Sequence, residues 1–121
     1  EVGELESWIS DDGASRHMTS SHDLMTNYRK CSGIARTADG DVLPIEGVGD
    51  ILLRFPSDSG AFDIQLLSIA FVPQLSHNLL SLQQFTAAHH TYFGTNNGME
   101  LRFKSGRTLQ ARNIGRANVL R

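Results

Sequence analysis

The stretch Trp8-Ile9-Ser10-Asp11-Asp12-Gly13-Ala14-Ser15 runs from an apolar start into an acidic turn. Trp8 and Ile9 are residue types that suit a buried strand. Gly13 favours a sharp change of direction because glycine reaches backbone angles that are closed to other residues. Ala14 leaves room beside the carboxylate, since its side chain is a single methyl group. The stretch therefore predicts a short strand that ends in a tight turn and presents the carboxylate of Asp11.

The composition predicts one globular domain. Of the residues, 40% are hydrophobic and 20% are charged, which is ordinary for a soluble protein. A length of 121 residues is too short for two catalytic lobes. The formal net charge of −2 and the scattered basic residues argue against nucleic-acid binding. No apolar run reaches the length of a membrane span, and the lone Cys31 favours a reducing compartment. We expect residues 1–7 to be a linker or terminal edge strand and residues 8–121 to form the domain.

Alternating apolar residues and turn signals predict a mostly β chain that forms a small barrel. Asp39-Gly40 is a strong hairpin signal between two predicted strands, at residues 33–38 and 42–45. Further strands are predicted at residues 8–10, 51–55, 62–73, 91–93, 99–103 and 108–111 and near residue 119.

One short helix is predicted where the period of the pattern changes. Leu79, Leu82 and Phe85 are spaced by three, and Ser76 or Asn78 is available as the N-cap.

Three motifs in order resemble the protease of copia-type LTR retrotransposons, a branch of the retropepsin-like aspartic proteases. Residues 8–14 resemble the opening of that family, which has Trp, two residues and then Asp-Ser-Gly-Ala. Residues 38–40 followed by 43–49, Leu-Pro-Ile-Glu-Gly-Val-Gly, are also typical, as are residues 71–81, Phe-Val-Pro-Gln-Leu-Ser-His-Asn-Leu-Leu-Ser. The resemblance covers residues 8 to about 85, and the tail beyond residue 90 matches only loosely.

The resemblance implies a retropepsin-like closed β-barrel with one short helix and a flap hairpin, assembled as a twofold homodimer. It implies an aspartic endopeptidase that cuts the Gag-Pol polyprotein of its own retroelement. Asp11 of each subunit would supply one carboxylate of the catalytic dyad. Like charges about 3 Å apart cannot both ionise easily, so one carboxyl stays protonated and polarises the scissile carbonyl. The other acts as general base and activates a water.

The resemblance also assigns supporting roles. Gly13 and Ala14 would shape the turn and contact the substrate backbone, and Leu79 and Leu80 would pack beneath the turn. The flap would consist of Glu46, Gly47, Val48 and Gly49. The implied partners are a second copy of the chain and a peptide or polyprotein substrate, with no direct nucleic acid and no membrane. No metal or organic cofactor is implied, and the expected location is the cytoplasm, in the virus-like particle of the element.

Asp12 departs from the pattern, because the family normally has Ser or Thr after the catalytic Asp. A hydroxyl there donates and accepts hydrogen bonds that tie the loops of the two subunits together, whereas an ionised carboxylate can only accept. Asp12 also adds one negative charge per subunit beside the dyad. This substitution predicts a dyad that ionises less readily, a weaker dimer, or no activity.

Two other groups of residues imitate functional sites. Asp58-Ser59-Gly60-Ala61 spells the active-site motif, but it follows Pro56-Ser57 rather than an apolar strand, which predicts an exposed hairpin loop. No Cys pair or His-Glu spacing accompanies the histidines, so they are interpreted as surface or turn residues rather than metal ligands. This interpretation applies to His17, His22, His89 and His90.

Two alternatives to an active protease stay open. The first is a catalytically inactive or domesticated retropepsin fold that dimerises or binds peptides without cutting them, as the departure at Asp12 suggests. The second is a small β-barrel binding module in which the motifs occur by chance, and which would be monomeric. An active enzyme would be inhibited by a peptide-like transition-state mimic such as pepstatin and would lose activity on Asp11→Asn.

Overall fold

The structure is a computed structural model that describes residues 3–4, 8–11, 13–37, 40–57, 60–96, 98–114 and 117–120. These residues form a mostly β fold with one short helix, α1 (Leu82–Ala87), as the sequence predicts. The strands, in chain order, are β1 (Gly3–Glu4), β2 (Trp8–Asp11), β3 (Met18–Thr19), β4 (Thr26–Arg36), β5 (Val42–Ser57), β6 (Gly60–Phe71), β7 (Asn78–Ser81), β8 (Thr91–Thr95), β9 (Gly98–Arg102), β10 (Thr108–Ile114) and β11 (Ala117–Leu120).

The described strands hydrogen-bond in the order β1-β5-β6-β3-β7-β2-β11-β10-β9-β8, and β4 pairs with β5 outside this path. β2 lies in the middle of the path, parallel to β7 and antiparallel to β11. The path has separate ends at β1 and β8, so these strands form an open sheet. The predicted closed barrel is therefore wrong for the part of the chain that is described, because β1 and β8 do not pair with each other.

β4, β5 and β6 are the three longest strands and form two successive hairpins. The first turn contains Gly40, whose φ of 87° favours glycine, and it is closed by a 3.0 Å hydrogen bond from Thr37 N to Asp41 O. This confirms the predicted hairpin at Asp39-Gly40, although Asp39 itself lies outside the described residues. The second hairpin pairs Ser57 with Gly60, and Asp58 and Ser59 of the imitation motif are likewise not described.

Two separately predicted strands, at residues 42–45 and 51–55, belong to the single strand β5. Asp50 lies between them, where the pairing with β6 shifts register. Its carboxylate accepts hydrogen bonds from Asn27 Nδ2 at 3.1 Å and from Ser68 N at 3.0 Å. Asn27 and Ser68 have φ values of 53° and 57°, in the left-handed region. Asp50 therefore stabilises local irregularities in the two strands that flank it, which allows β5 to continue through them.

Alternate side chains of the sheet pack into two cores. Leu80 and Ile69 are fully buried in the first core, whereas their neighbours Leu79 and Ala70 pack in the second. The first core consists of Trp8, Ile51, Leu53, Leu66, Ile69, Leu80, Leu82, Phe85, Leu101, Phe103, Leu109 and Ala111. The second consists of Ala14, Met18, Ala35, Ile45, Ala70, Val72 and Leu75.

The helix begins later than the sequence predicts. Residues 78–81 form strand β7, and the N-cap of α1 is Ser81 rather than Ser76 or Asn78. β7 pairs with β2 along all four residues, and Leu79 also pairs with Met18 of β3. These strand contacts override the spacing of three, since tertiary pairing outweighs a weak local preference.

Candidate active site

Asp11 is the last residue of β2, and the chain turns immediately after it. The backbone N–H of Gly13 donates a 2.8 Å hydrogen bond to Asp11 Oδ1, which fixes one carboxylate oxygen. A Cβ atom at position 13 would lie 3.3 Å from that oxygen, a tight approach that glycine avoids. Asp11 is only half-buried, so its carboxylate remains within reach of solvent. The predicted strand and turn are therefore present.

Ala14 anchors the far side of this turn. Its side chain is buried in the second core, and its carbonyl oxygen accepts a 2.6 Å hydrogen bond from Ser81 Oγ. Asp12 lies outside the described residues, so its predicted effect on the dyad remains a prediction.

β7 supports the turn from beneath. Leu80 lies opposite Ser10 and is fully buried in the first core, while half-buried Leu79 lies opposite Ile9. Ser81 lies opposite Asp11 at the end of the parallel pair. The structure thus places Leu79 and Leu80 beside the strand that carries Asp11, in a strand rather than in the predicted helix.

Residues 46–49, the predicted flap, do not lie at a hairpin tip. Gly47 and Val48 pair with β4 on one edge and β6 on the other, and Gly49 pairs with Ile69. A Cβ atom at Gly47 would overlap the side chain of Tyr28, whose hydroxyl donates to the carbonyl oxygen of Glu46 at 3.4 Å. The Gly-x-Gly pattern thus provides space for packing inside a strand, and the assignment of a flap tip to it is wrong.

The hairpin tip that projects from β4 and β5 is the turn at residues 37–41. Apolar side chains remain exposed beside it: Ile34 is 59% exposed and Val42 is 49% exposed. Nearly all residues of β4 are exposed. The Asp39-Gly40 signal thus marked the position of this turn in the sequence.

A cluster of three polar side chains holds the Asp11 turn against the helix. We call His17, Ser81 and Gln84 the anchor cluster. The backbone N–H of Ser81 donates to His17 Nδ1 at 2.9 Å, and that of Gln84 donates to Ser81 Oγ at 3.0 Å. The N–H of His17 donates to Gln84 Oε1 at 2.8 Å.

Sequence reasoning missed the anchor cluster. His17 is 4% exposed, so it is not a surface histidine, although it does lie in the turn segment between β2 and β3. The available signal was Ser81-Leu82-Gln83-Gln84, which matches the capping-box pattern of Ser followed three residues later by Gln. The Ser81 side chain does cap the helix, but the Gln84 carbonyl binds His17 instead of the N-cap residue.

Burial, together with the charges of Arg16 and His90, lowers the pKa of His17 from 6.5 to about 4. The imidazole is therefore neutral at pH 7. A neutral Nδ1 can accept a hydrogen bond only when the proton sits on the other ring nitrogen, and the Ser81 contact requires that arrangement.

A polar groove of about 540 Å³ lies beside the turn. Arg16 crosses it, donating from Nη2 to the carbonyl oxygen of Ser68 at 3.1 Å. The groove is lined by Ser15, Arg16, Ser68, Gln83, Gln84 and Ala87.

The described part of the chain offers neither a metal site nor a membrane-spanning helix. Three or more His, Cys, Asp or Glu side chains do not come together there in a way that could hold a metal ion. The helix found there is also too short to cross a membrane.

The fold and the turn define a β-rich domain with a half-buried carboxylate at the end of a central strand. The Pol polyprotein beta-barrel domain family matches residues 8–92, from the first residue of β2 into β8. Because this match covers more than half of the 121 residues, the chain belongs to that family and is a region of a retroelement Pol polyprotein. Comparison with curated proteins gave no match.

Proposed function

We propose that this domain is the aspartic endopeptidase of its Pol polyprotein. The observation that carries the proposal is the position of Asp11, at the end of β2, with Oδ1 bound by the Gly13 N–H and with β7 parallel alongside. The turn is held rigidly and the carboxylate is partly accessible, which are the properties that a catalytic acid or base needs. Family membership places the domain in the polyprotein of a retroelement, which must be cut into its products.

The second carboxylate would come from another copy of the chain. The sequence has one Asp-x-Gly-Ala turn preceded by an apolar strand, so a twofold axis beside Asp11 is the way to pair two such groups. One Asp11 carboxylate removes a proton from water while the protonated one donates its proton to the scissile carbonyl oxygen. The water oxygen bonds to the carbonyl carbon as it loses its proton, which gives a tetrahedral gem-diol and exchanges the protonation states of the two carboxyls. The newly protonated carboxyl then gives its proton to the peptide nitrogen while the other takes one hydroxyl proton, and the C–N bond breaks to yield a carboxylic acid and an amine.

The β4–β5 hairpin would be the flap. Its turn at residues 37–41 replaces the earlier assignment at residues 46–49. Exposed Ile34 and Val42 offer apolar surface to substrate side chains, and closure of the hairpin would exclude water from the reacting centre. We place the reaction in the cytoplasm, on the element's own Gag-Pol polyprotein.

A second candidate is a domain that dimerises or binds peptides without cutting them. Asp12 favours it, because a carboxylate in place of the usual hydroxyl adds negative charge beside the dyad and cannot donate a hydrogen bond. The two candidates differ in hydrolysis alone.

The test compares the 121-residue chain with Asp11→Asn and Asp12→Ser. Each protein is incubated with a proteome-derived peptide library at mildly acidic pH, new termini are identified by mass spectrometry, and the same samples are sedimented over a concentration series. We expect cleavage that follows the dimer fraction, is blocked by pepstatin and disappears in Asp11→Asn.

Cleavage by Asp12→Ser alone would establish the non-cutting candidate for the natural sequence. The endopeptidase proposal would be overturned if the domain were a monomer at every concentration and neither the natural chain nor Asp12→Ser cleaved any peptide. Cleavage that survives Asp11→Asn would also overturn it, because Asp11 would then not be the catalytic group.

A further inference from the structure

The hydrogen bonds of the anchor cluster form a connected chain that begins at the Asp11 turn. The Ala14 carbonyl oxygen accepts from Ser81 Oγ, and the Ser81 N–H donates to His17 Nδ1. The His17 N–H donates to Gln84 Oε1, and the Gln84 N–H returns to Ser81 Oγ. His17, Ser81 and Gln84, from two distant segments, are thus joined in a ring of hydrogen bonds. This ring holds Ala14 through its carbonyl oxygen.

The ring is also fixed to the sheet. Gln84 Nε2 donates a 2.7 Å hydrogen bond to the carbonyl oxygen of Leu67 in β6. Ser81 is fully buried and His17 nearly so, which shields these contacts from competing water. The segment after Asp11 is consequently tied to α1 through Ser81 Oγ and to β6 through Gln84. The imidazole Nδ1 of His17 in turn holds the backbone of Ser81, the residue that contacts Ala14.

That nitrogen can act as an acceptor in one protonation state only. A proton on Nδ1 would point toward the Ser81 N–H, so two donors would face each other in a buried site. The charged groups that face the imidazole are Arg16 on its own segment and His90 beyond α1, and both oppose its protonation. Protonation at low pH would therefore break the Ser81 N–H contact to His17, on the same residue whose hydroxyl holds Ala14.

We propose that His17 is a positioning residue that sets the acid limit at which the Asp11 turn keeps its catalytic geometry. Its side chain is buried, and it acts through Ser81 on the Ala14 carbonyl. This inference rests on the proposed endopeptidase function for its effect on hydrolysis, whereas its effect on the turn does not depend on catalysis.

The key variant is His17→Asn. The Asn Oδ1 atom occupies nearly the same place as Nδ1, accepts a hydrogen bond from the Ser81 N–H and cannot be protonated in this pH range. His17→Ala removes the acceptor altogether. His77→Asn is the matched control, since His77 is exposed and lies outside the anchor cluster.

The first readout is structural. The amide shifts of Ser81 and Ala14 are followed by NMR from pH 7 to pH 3 in the natural chain, His17→Asn and His77→Asn. In the natural chain and in His77→Asn we expect a titration with a midpoint near pH 4, because both keep the imidazole of His17. In His17→Asn we expect a flat response, because that imidazole is absent. Identical Ser81 titrations with and without the imidazole would overturn the inference, whether or not the domain is an enzyme.

The second readout is kcat and KM over the same range. In His17→Asn we expect kcat at pH 6 within about twofold of the natural chain and an acid limb displaced to lower pH. In His17→Ala kcat should fall roughly tenfold or more at every pH, because the Ser81 N–H loses its acceptor and the turn loses that support whatever the pH. An unchanged acid limb in His17→Asn would overturn the inference while leaving the endopeptidase function intact.

Discussion

The Asp11 turn and the β4–β5 hairpin differ in how they are held. The turn is bound by the anchor cluster, whose members His17 and Ser81 are 4% and 0% exposed. The hairpin has β4 at its outer edge, paired with β5 alone among the described strands, and nearly every β4 residue is exposed. One region is fixed by buried side-chain hydrogen bonds, and the other mainly by the backbone pairing of two strands.

This difference indicates a division of labour. A catalytic carboxylate must be held within a fraction of an ångström, which requires buried and saturated contacts. A cover must open for each substrate, and elements that move are drawn from the less stable parts of a fold. Substitutions near the turn should therefore change stability strongly, and substitutions in the hairpin should change binding with little cost in stability.

The largest expected effect concerns Phe85, the aromatic residue of α1 that packs in the first core. Phe85→Ala should lower the free energy of unfolding by about 4 kcal/mol, because it removes a buried ring and leaves a cavity. Phe93→Ala is the control, since that ring is 44% exposed and should cost less than about 1 kcal/mol. Urea unfolding of both variants measures the difference, and equal losses would contradict the assignment of α1 to the rigid region.

The next effect is the pH dependence of stability. The folded-state pKa of His17 is lowered from 6.5 to about 4, so the unfolded chain binds more protons between these values. The stability that neutral His17 contributes is present above pH 6.5 and is lost as the pH falls toward 4, by about 3 kcal/mol in total. Urea midpoints at pH 7 and 4.5 should show this loss in the natural chain and a smaller one in His17→Asn. The same loss in both would assign the pH dependence to other groups.

Ser81→Ala should lower the free energy of unfolding by about 2 kcal/mol. It removes the N-cap acceptor of α1 and the hydrogen bond to Ala14, and leaves two backbone groups without these partners. Thr37→Ala in the hairpin turn is the comparison, where the lost 3.2 Å hydrogen bond to Asp41 N is exposed and should cost about 0.5 kcal/mol. Thermal unfolding of the two variants compares the regions directly, and a larger loss for Thr37→Ala would reverse the comparison.

The sequence predicted the parts of the fold that depend on local chemistry. The strand before Asp11, the turn with Gly13, the hairpin at Gly40 and the long strand ending at Phe71 each follow from residues that are adjacent in the chain. The errors arose where distant segments meet. Residues 78–81 became a strand because β2 and β3 pair with them.

The same reason explains the errors at the site. In the sequence, Gly47 has the pattern of a turn residue, but its role depends on Tyr28, which packs where a side chain at position 47 would lie. The role of His17 likewise depends on the N–H of Ser81, which donates to its ring. Gly47 and Tyr28 are 19 residues apart, and His17 and Ser81 are 64 residues apart, so the sequence around each carries no local signal of these contacts. The open sheet likewise depends on long-range pairing, which short strands and regular turns do not specify.

Gly47→Ala tests the correction of the flap. A methyl group there would displace Tyr28, whose ring packs against His22 and Phe71, so we expect a loss of about 1 kcal/mol in the free energy of unfolding. Gly40→Ala introduces strain of similar size in the true turn, because its φ is 87°. The two differ in hydrolysis: Gly40→Ala should change KM, and Gly47→Ala should change stability alone. A KM effect confined to Gly47→Ala would restore the original flap assignment.

The smallest stability effect and the sharpest test of the hairpin is Ile34→Ser. Its side chain is 59% exposed, so the free energy of unfolding should change by less than about 0.5 kcal/mol. In a flap, the same side chain contacts substrate, and losing its apolar surface should raise KM about threefold or more with little change in kcat. Leu67→Ser serves as the control, because Leu67 is also exposed, at 55%, but lies in β6. Equal KM values for both variants would mean that the exposed apolar residues of the hairpin do not bind substrate, and that the hairpin is exposed for another reason.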